Sequence, residues 1–535
     1  MKYPIGIQTF SQIIQDGYVY VDKTDMVYSL VKGGKIFFMS RPRRFGKSLL
    51  ISTLKSYFLG QKELFRGLKI DSLEKEWNVY PVFHLSFGTS NFTKLGTLEA
   101  VILDYIESFE KVYGRTTNSD DCAIRFKHVI KAAHEKTGRG AVVLVDEYDK
   151  PLLDVMDNKT LYYQNDNGEK VTYETHNRDI LKGFYGVFKD ADEDLQFVML
   201  TGVTKFSQVS VFSGFNQPDD ISMDTQYESL CGITKEELLT VFDESIRSLA
   251  STKKKTYEDI VAELTKKYDG YHFSSNLTGV FNPFSILNCF KKNDMRNYWF
   301  ASGTPGYLVR LLAHSNENIN ELIGKYYPAE MFIDYKADVE QPLPMIYQSG
   351  YLTIKAYNEV MDTYLLDFPN KEVKHGFISV LAGSYFKEYR QDASSWVIEV
   401  QNSLLKGDVE MFMKQMTALL SSVTYRFQRK QDAFECERYF QYTFYLIMQM
   451  LGRYNTLVEK ETSEGRIDCV LECPDYVYIL EFKLNGSADA ALKQIEDKGY
   501  AKPYMADSRK VISLGINFSS EKGTIDDWQP RNNIK

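Results

Sequence analysis

At 535 residues, with 44% hydrophobic and 14% aromatic content, the chain is too long for one core and has apolar side chains enough for roughly two to four domains. Its net charge of −8 excludes a protein coated in basic charge, so any nucleic-acid contact must come from a local patch of Lys and Arg. No run of about eighteen apolar residues appears, and Met1-Lys2-Tyr3-Pro4-Ile5 lacks a signal peptide's apolar core, which predicts a cytoplasmic protein without a membrane span.

Residues 1–235 alternate short apolar strands, over 35–39, 79–86, 141–146 and 195–201, with helices that include 47–58, 97–112 and 122–136. Such alternation predicts a parallel sheet with helices on both faces, an α/β domain. The polar stretch 165–177 reads as an inserted loop or hairpin. Residues 236–370 read as a helical extension or lid, entered through the capped start Thr234-Lys235-Glu236-Glu237. A linker of amphipathic helices follows over 371–430, with Met411, Phe412, Met416, Leu419 and Leu420 on one side of the helix 410–422. Residues 431–535 form the last domain, read as an apolar helix over 437–451, two alternating strands, a helix and a final strand over 510–517. The six cysteines are scattered without a zinc spacing and predict reduced, buried thiols.

Phe37-Phe38-Met39-Ser40 runs into Arg41-Pro42-Arg43-Arg44-Phe45-Gly46-Lys47-Ser48 and then a helix, the order of a phosphate-binding loop. Gly46 lets the backbone approach phosphate, Lys47 brings an ammonium for the outer phosphates, and Ser48 brings a hydroxyl for Mg²⁺. Arg43, Arg44 and Phe45 complete the loop around the nucleotide. Arg41 stands where the first glycine of G-x-x-x-x-G-K-[ST] belongs, a strained place for a side chain if φ is positive. The three arginines of this loop either ride on its outside or contact phosphate. About a hundred residues on, the apolar run 141–145 sets Asp146 at the carboxyl end of a buried strand, where it is the candidate Mg²⁺ ligand, and Glu147 is the candidate general base for the attacking water. Another buried strand ends at Thr201, a candidate sensor of the γ-phosphate with Thr204 and Lys205 behind it. A threonine bonding its own turn is the plainer alternative.

These segments, with Tyr20-Val21-Asp22-Lys23-Thr24, Val145-Asp146-Glu147-Tyr148-Asp149-Lys150-Pro151 and Thr201-Gly202-Val203-Thr204-Lys205-Phe206-Ser207, resemble the bacterial AAA-ATPase-like family. The likeness is close over 3–220 and continues through Tyr268-Asp269-Gly270-Tyr271 and Phe281-Asn282-Pro283. It implies a P-loop ATP-binding domain of the additional-strand class, a signalling-type switch rather than a processive motor, and it makes Arg41 a family trait. The stretch 18–24 either covers the adenine or packs as ordinary aromatic core.

A second chemistry lies near the carboxyl end. Gly465–Glu472 and Tyr476–Lys483 alternate around a Pro474-Asp475 turn and read as a hairpin. A turn centred between Pro474 and Asp475 places Asp468 opposite Glu481, with Cβ atoms about 5 Å apart. Facing carboxylates repel, and the pairing calls for a cation. Lys483 shares their face, so the three residues offer two carboxylates for a divalent metal and an ammonium beside a scissile phosphodiester. An exposed strand face with an ordinary Glu481–Lys483 charge pair is the alternative.

This region resembles the PD-(D/E)xK nuclease superfamily, with Asp468 in the first acidic position and Glu481-Phe482-Lys483 as the E-x-K element. The resemblance implies a small restriction-endonuclease-like α/β domain. Gln494 and Tyr500 match its Q-x-x-x-x-x-Y element, Glu437 is the upstream glutamate with Glu435 the weaker choice, and Gln441 stands where relatives often carry histidine. His84, His272 and Tyr347-Gln348-Ser349-Gly350-Tyr351-Leu352 read as structural.

The sequence therefore predicts an ATPase, using ATP and Mg²⁺, whose nucleotide state controls a nuclease-like domain that uses Mg²⁺ or Mn²⁺ on DNA or RNA. The pattern is compatible with an oligomer. The alternatives are a nucleotide-dependent interaction switch whose last domain binds without cutting, and a plain ATPase with a structural second domain.

Overall fold

The computed structural model describes residues 1–156, 158, 160–165, 167–206, 218–301, 322–334, 342–377, 393–422, 455–462 and 465–533. The chain divides into two compact units, Met1–Lys374 and His375–Lys535. No helix among the described residues is long and apolar enough to cross a membrane.

In the first unit the apolar runs become strands β1 (Ile36–Ser40), β2 (Val82–Ser86) and β3 (Ala141–Asp146). The insertion is the hairpin of β4 (Tyr162–Gln164) and β5 (Lys170–Thr172), and its helix starts at Tyr173, earlier than the sequence suggested. Strands β6 (Leu195–Gly202) and β7 (Asp219–Asp220) complete a five-stranded sheet of order β2-β3-β6-β1-β7, parallel throughout. Strand β6 is the additional strand, inserted between the loop strand β1 and the acidic strand β3. Every residue of β3 is buried, the pattern of a strand covered on both faces. Strand β2 starts later than the sequence suggested. Val79 is 63% exposed, and Pro81 has no N–H to give a ladder.

The region after it is helical and carries strands that the sequence reading left out. Strands β8 (Ile233–Thr234) and β9 (Val280–Phe281) pair antiparallel, and β10 (Lys325–Tyr327), β11 (Thr353–Asn358) and β12 (Thr363–Asp367) form an antiparallel sheet of order β10-β12-β11. Thr234 and Glu237 form the expected capping box on helix Lys235–Val241.

The second unit is a mixed sheet between helical layers. Strands β13 (Asn455–Thr462), β14 (Gly465–Glu472), β15 (Tyr476–Leu484), β16 (Lys510–Ser519) and β17 (Thr524–Asn533) lie in that order, with only β15 and β16 parallel. Helices Ala393–Lys406 and Val409–Ser422 bury Leu404, Phe412, Met413, Met416 and Leu420 against one face. Helix Ala488–Asp497 buries Leu492 and Ile495 against the other. Two expectations are corrected. The strand at 510–517 is not the last, because the polar β17 follows as an edge strand, the place in a sheet where a proline such as Pro530 is tolerated. Met411 is 44% exposed, and Met413 takes its place in the core. The helix expected over 437–451 lies outside the described residues.

Candidate functional site

The P-loop lies between β1 and helix Lys47–Phe58, which starts from Gly46 in the left-handed region at φ 98°. A cavity of about 410 Å³ opens above it. Arg43, Arg44, Gly46, Lys47, Ser48 and Glu147 all line it, so six residues expected at a nucleotide meet in one place. Part of the remaining wall comes from Pro4–Gln8 and from Pro283 and Phe284, which no nucleotide-binding signal in the sequence marked. The Lys47 ammonium donates to Arg41 O at 2.8 Å and Pro42 O at 3.0 Å. Burial pushes its pKa down, against the opposing charges of Asp146, Asp149 and Glu147. Arg44 sits at φ 69° with its guanidinium 5.2 Å from the Phe284 ring centre.

Three expected residues are set back from the cavity. The Phe45 ring is buried edge-on against Tyr271 and Phe273 and works as an anchor of the loop. Asp146 ends β3, and Thr201, fully buried on β6, donates its hydroxyl to Asp146 Oδ1 at 2.9 Å. Thr201 thus orients the carboxylate next to it. Thr204 is buried, and Lys205 pairs with Asp220 at 2.8 Å and Asp334 at 3.0 Å.

Arg41 takes neither place that the sequence allowed. It is 1% exposed, and its guanidinium donates to Ser40 O at 2.9 Å, Ser222 O at 2.7 Å and Tyr227 O at 3.2 Å. It also stacks 4.2 Å from the Phe273 ring centre. Its φ is not positive, so the replaced glycine leaves no backbone strain.

No signal in the sequence assigns Asp149 a role. It is 1% exposed, lines the cavity, and accepts Val203 N at 2.9 Å and Thr204 N at 2.6 Å. Burial pushes its carboxyl up to about 6. With Tyr148 OH donating to Thr204 O at 2.8 Å, it ties the acidic motif to the segment after β6.

In the second unit the hairpin has the expected register, with Cys469 opposite Leu480 and Glu472 opposite Val477. Asp468 comes one position beyond the last pair, and its Oδ2 accepts Phe482 N at 2.8 Å. Glu481 is 2% exposed, its Oε1 accepts from Gln494 Nε2 and lies 3.5 Å from the Lys483 ammonium, and its Oε2 has no hydrogen-bond partner. Lys483 donates to Gln494 Oε1 at 2.7 Å. The four residues expected here are therefore gathered, with the Gln494 amide bridging acid and base. Burial first, and the charge of Asp468 second, push the Glu481 carboxyl up to about 7. Gly515 was not foreseen. It faces Glu481 across the β15–β16 ladder, and a Cβ there would lie 2.2 Å from Ala488 O, so its bare Cα lets the Gln494 helix lie on the sheet.

The paired carboxylates and the orphaned Glu481 Oε2 fit a divalent cation. No group of three or more Asp, Glu, His or Cys is gathered among the described residues, which exclude Glu437.

A P-loop facing an acidic strand across an inserted strand defines an ATPase-like domain. A carboxylate pair, its glutamate buried and its aspartate partly so, with lysine and glutamine on a mixed sheet defines a nuclease-like one. Comparison with known proteins agrees. Residues 4–212 match the family described as "Predicted AAA-ATPase", and 435–528 match the PD-(D/E)XK nuclease superfamily. The chain is 34% identical over 533 residues to the "Uncharacterized protein in vnfD 5'region" of Azotobacter chroococcum mcd 1, covering 98% of both. It belongs to this AAA-ATPase-like family and carries a PD-(D/E)XK nuclease superfamily domain.

Among solved structures, a signal transduction ATPase with numerous domains (STAND) and a tetratricopeptide repeat sensor, from Pyrococcus horikoshii, matches at 11% identity and TM-score 0.23. The match spans 81% of this chain and 58% of that one. The Orc1 protein of Aeropyrum pernix, solved in complex with DNA, matches at 7% identity and TM-score 0.23, spanning 69% of this chain and 96% of that one. Neither likeness bears on function.

Proposed function

We propose that the chain is a cytoplasmic, ATP-hydrolysing switch that governs a metal-dependent nuclease domain acting on DNA or RNA. The observation that carries the nuclease reading is Glu481, buried beside Asp468 with one carboxylate oxygen unpartnered and the other held by Gln494. Asp468 and Glu481 would hold Mg²⁺ or Mn²⁺, which when bound acidifies water and offsets charge on phosphate. Lys483, steadied by Gln494, presents an ammonium to the charge that builds on the phosphodiester.

In the first unit, Lys47 and the amides at the start of its helix hold the β- and γ-phosphates, with Arg43 and Arg44 at the rim. Ser48 and Asp146 would hold Mg²⁺. Glu147 takes a proton from water as the water oxygen bonds to the γ-phosphorus and the bond to the departing ADP breaks.

The test is cleavage of single- and double-stranded DNA and RNA by the full chain with Mg²⁺ or Mn²⁺. The parent should cut at least one form, and D468A and K483A should lose cutting while keeping ATP affinity. No cleavage of any form by the parent would sink the nuclease reading in favour of a switch that binds without cutting.

A further inference from the structure

Strand β2 ends with Ser86 opposite Asp146, and the chain stays beside β3 for one more residue, with Phe87 N donating to Asp146 O at 3.2 Å. This brings Gly88 to Glu147. A Cβ on Gly88 would lie 2.8 Å from Glu147 Oε2, 3.1 Å from Cδ and 3.3 Å from Oε1, so the whole carboxyl group rests against a bare Cα.

Two restraints fix that carboxylate. The first is the backbone of Glu147 itself, left-handed at φ 53°, with its N–H donating to Asp146 Oδ1 at 3.1 Å and its carbonyl accepting Lys150 N at 3.1 Å. A left-handed glutamate is uncommon and is sustained only by its surroundings. The second is the space over Gly88. Among the described residues no N–H or O–H donates to the Glu147 carboxylate, so no hydrogen bond fixes its outer end. Gly88 is not in the left-handed region, so its backbone accepts alanine. What the new methyl group meets is the end of a flexible side chain, which can move aside without unfolding anything.

We propose that Gly88 is a positioning residue for ATP hydrolysis, its missing side chain giving the Glu147 carboxylate its place in the P-loop cavity. The proposal rests on the reading of Glu147 as general base. A methyl group at Gly88 shifts the base by an ångström or so, and a displacement of that size costs about 10²-fold in rate.

The experiment compares the parent, G88A and E147Q as full chains, by steady-state ATP hydrolysis, equilibrium ATP affinity and melting temperature. Expected for G88A is a fall in kcat of about 10²-fold with KM, ATP affinity and melting temperature close to the parent's. A generally loosened site would instead weaken affinity and melting temperature along with rate. If E147Q hydrolyses ATP like the parent, or the parent does not hydrolyse it, the base reading fails and the proposal with it. If E147Q is inactive and G88A turns over at the parental rate, or loses ATP affinity in step with rate, the reading of Glu147 stands and the role of Gly88 is overturned.

Discussion

Arg41 is a buried cation with no carboxylate among its hydrogen-bond partners, a costly arrangement unless its donors are satisfied. Three backbone carbonyls and one aromatic face serve its two terminal nitrogens and its plane, while Nε finds no hydrogen-bond partner among the described residues, and two of the carbonyls lie 181 and 186 residues along the chain. The guanidinium thus pins the strand end that a glycine would leave loose. Restoring the consensus with R41G should therefore harm the protein. It leaves two buried carbonyls without a donor and a cavity beside Phe273, worth about 2–5 kcal/mol. R41K should not recover this, since an ammonium lacks the planar fork. Urea denaturation with ATP titration checks both variants, and an R41G protein as stable as the parent would contradict the anchoring role. The meeting of Gly46, Lys47 and Ser48 at one cavity was legible in sequence because it is local. The role of Arg41 was not, because the Ser222 and Tyr227 carbonyls and the Phe273 ring that hold it lie far along the chain.

Between elements, Glu372 is the joint whose chemistry can be titrated. It is 1% exposed and accepts Ser285 Oγ at 2.7 Å and Trp299 N at 2.8 Å, and the Trp299 indole donates to Arg43 O of the P-loop at 3.0 Å. Burial pushes its carboxyl from 4.5 up to about 7. The folded chain thus keeps a proton that the unfolded chain releases. The stability Glu372 contributes is complete below about 4.5 and is lost as pH rises through about 7. Denaturant midpoints for the amino-terminal unit, measured on the full chain from pH 5 to 8, should fall with pH, and E372Q should flatten the trend by up to about 1.4 kcal/mol per pH unit. Parallel curves for parent and variant would refute this. Strands with a clear signal were the ones read from sequence: β3 through its unbroken apolar run, and the β14–β15 register through the Pro474-Asp475 turn. The hairpin of β11 and β12 and the edge strand β17 were missed. Each is short or largely polar, and pairing partners outside the local window decide such strands.

At the scale of the whole molecule, one chain carries a nucleotide site and a nuclease-like site. A relative that is 34% identical is matched over 98% of its length, so the pairing extends beyond this chain. Both constellations were visible in sequence because phosphate and metal chemistry restrict residue type and spacing. The walls of the nucleotide cavity at Pro4–Gln8, and the support from Gly88 and Gly515, were not visible, because close approach is a property of the folded backbone. The central claim is that the first site controls the second. It is tested by the initial rate of metal-dependent cleavage by the full chain without nucleotide, with ATP, with ADP and with a non-hydrolysable ATP analogue, in parallel with K47A. The account predicts that the parent's rate differs by about tenfold or more between nucleotide states, a coupling of about 1.4 kcal/mol, and that K47A is locked at one rate in all four conditions. Equal rates for the parent in every nucleotide state would contradict it.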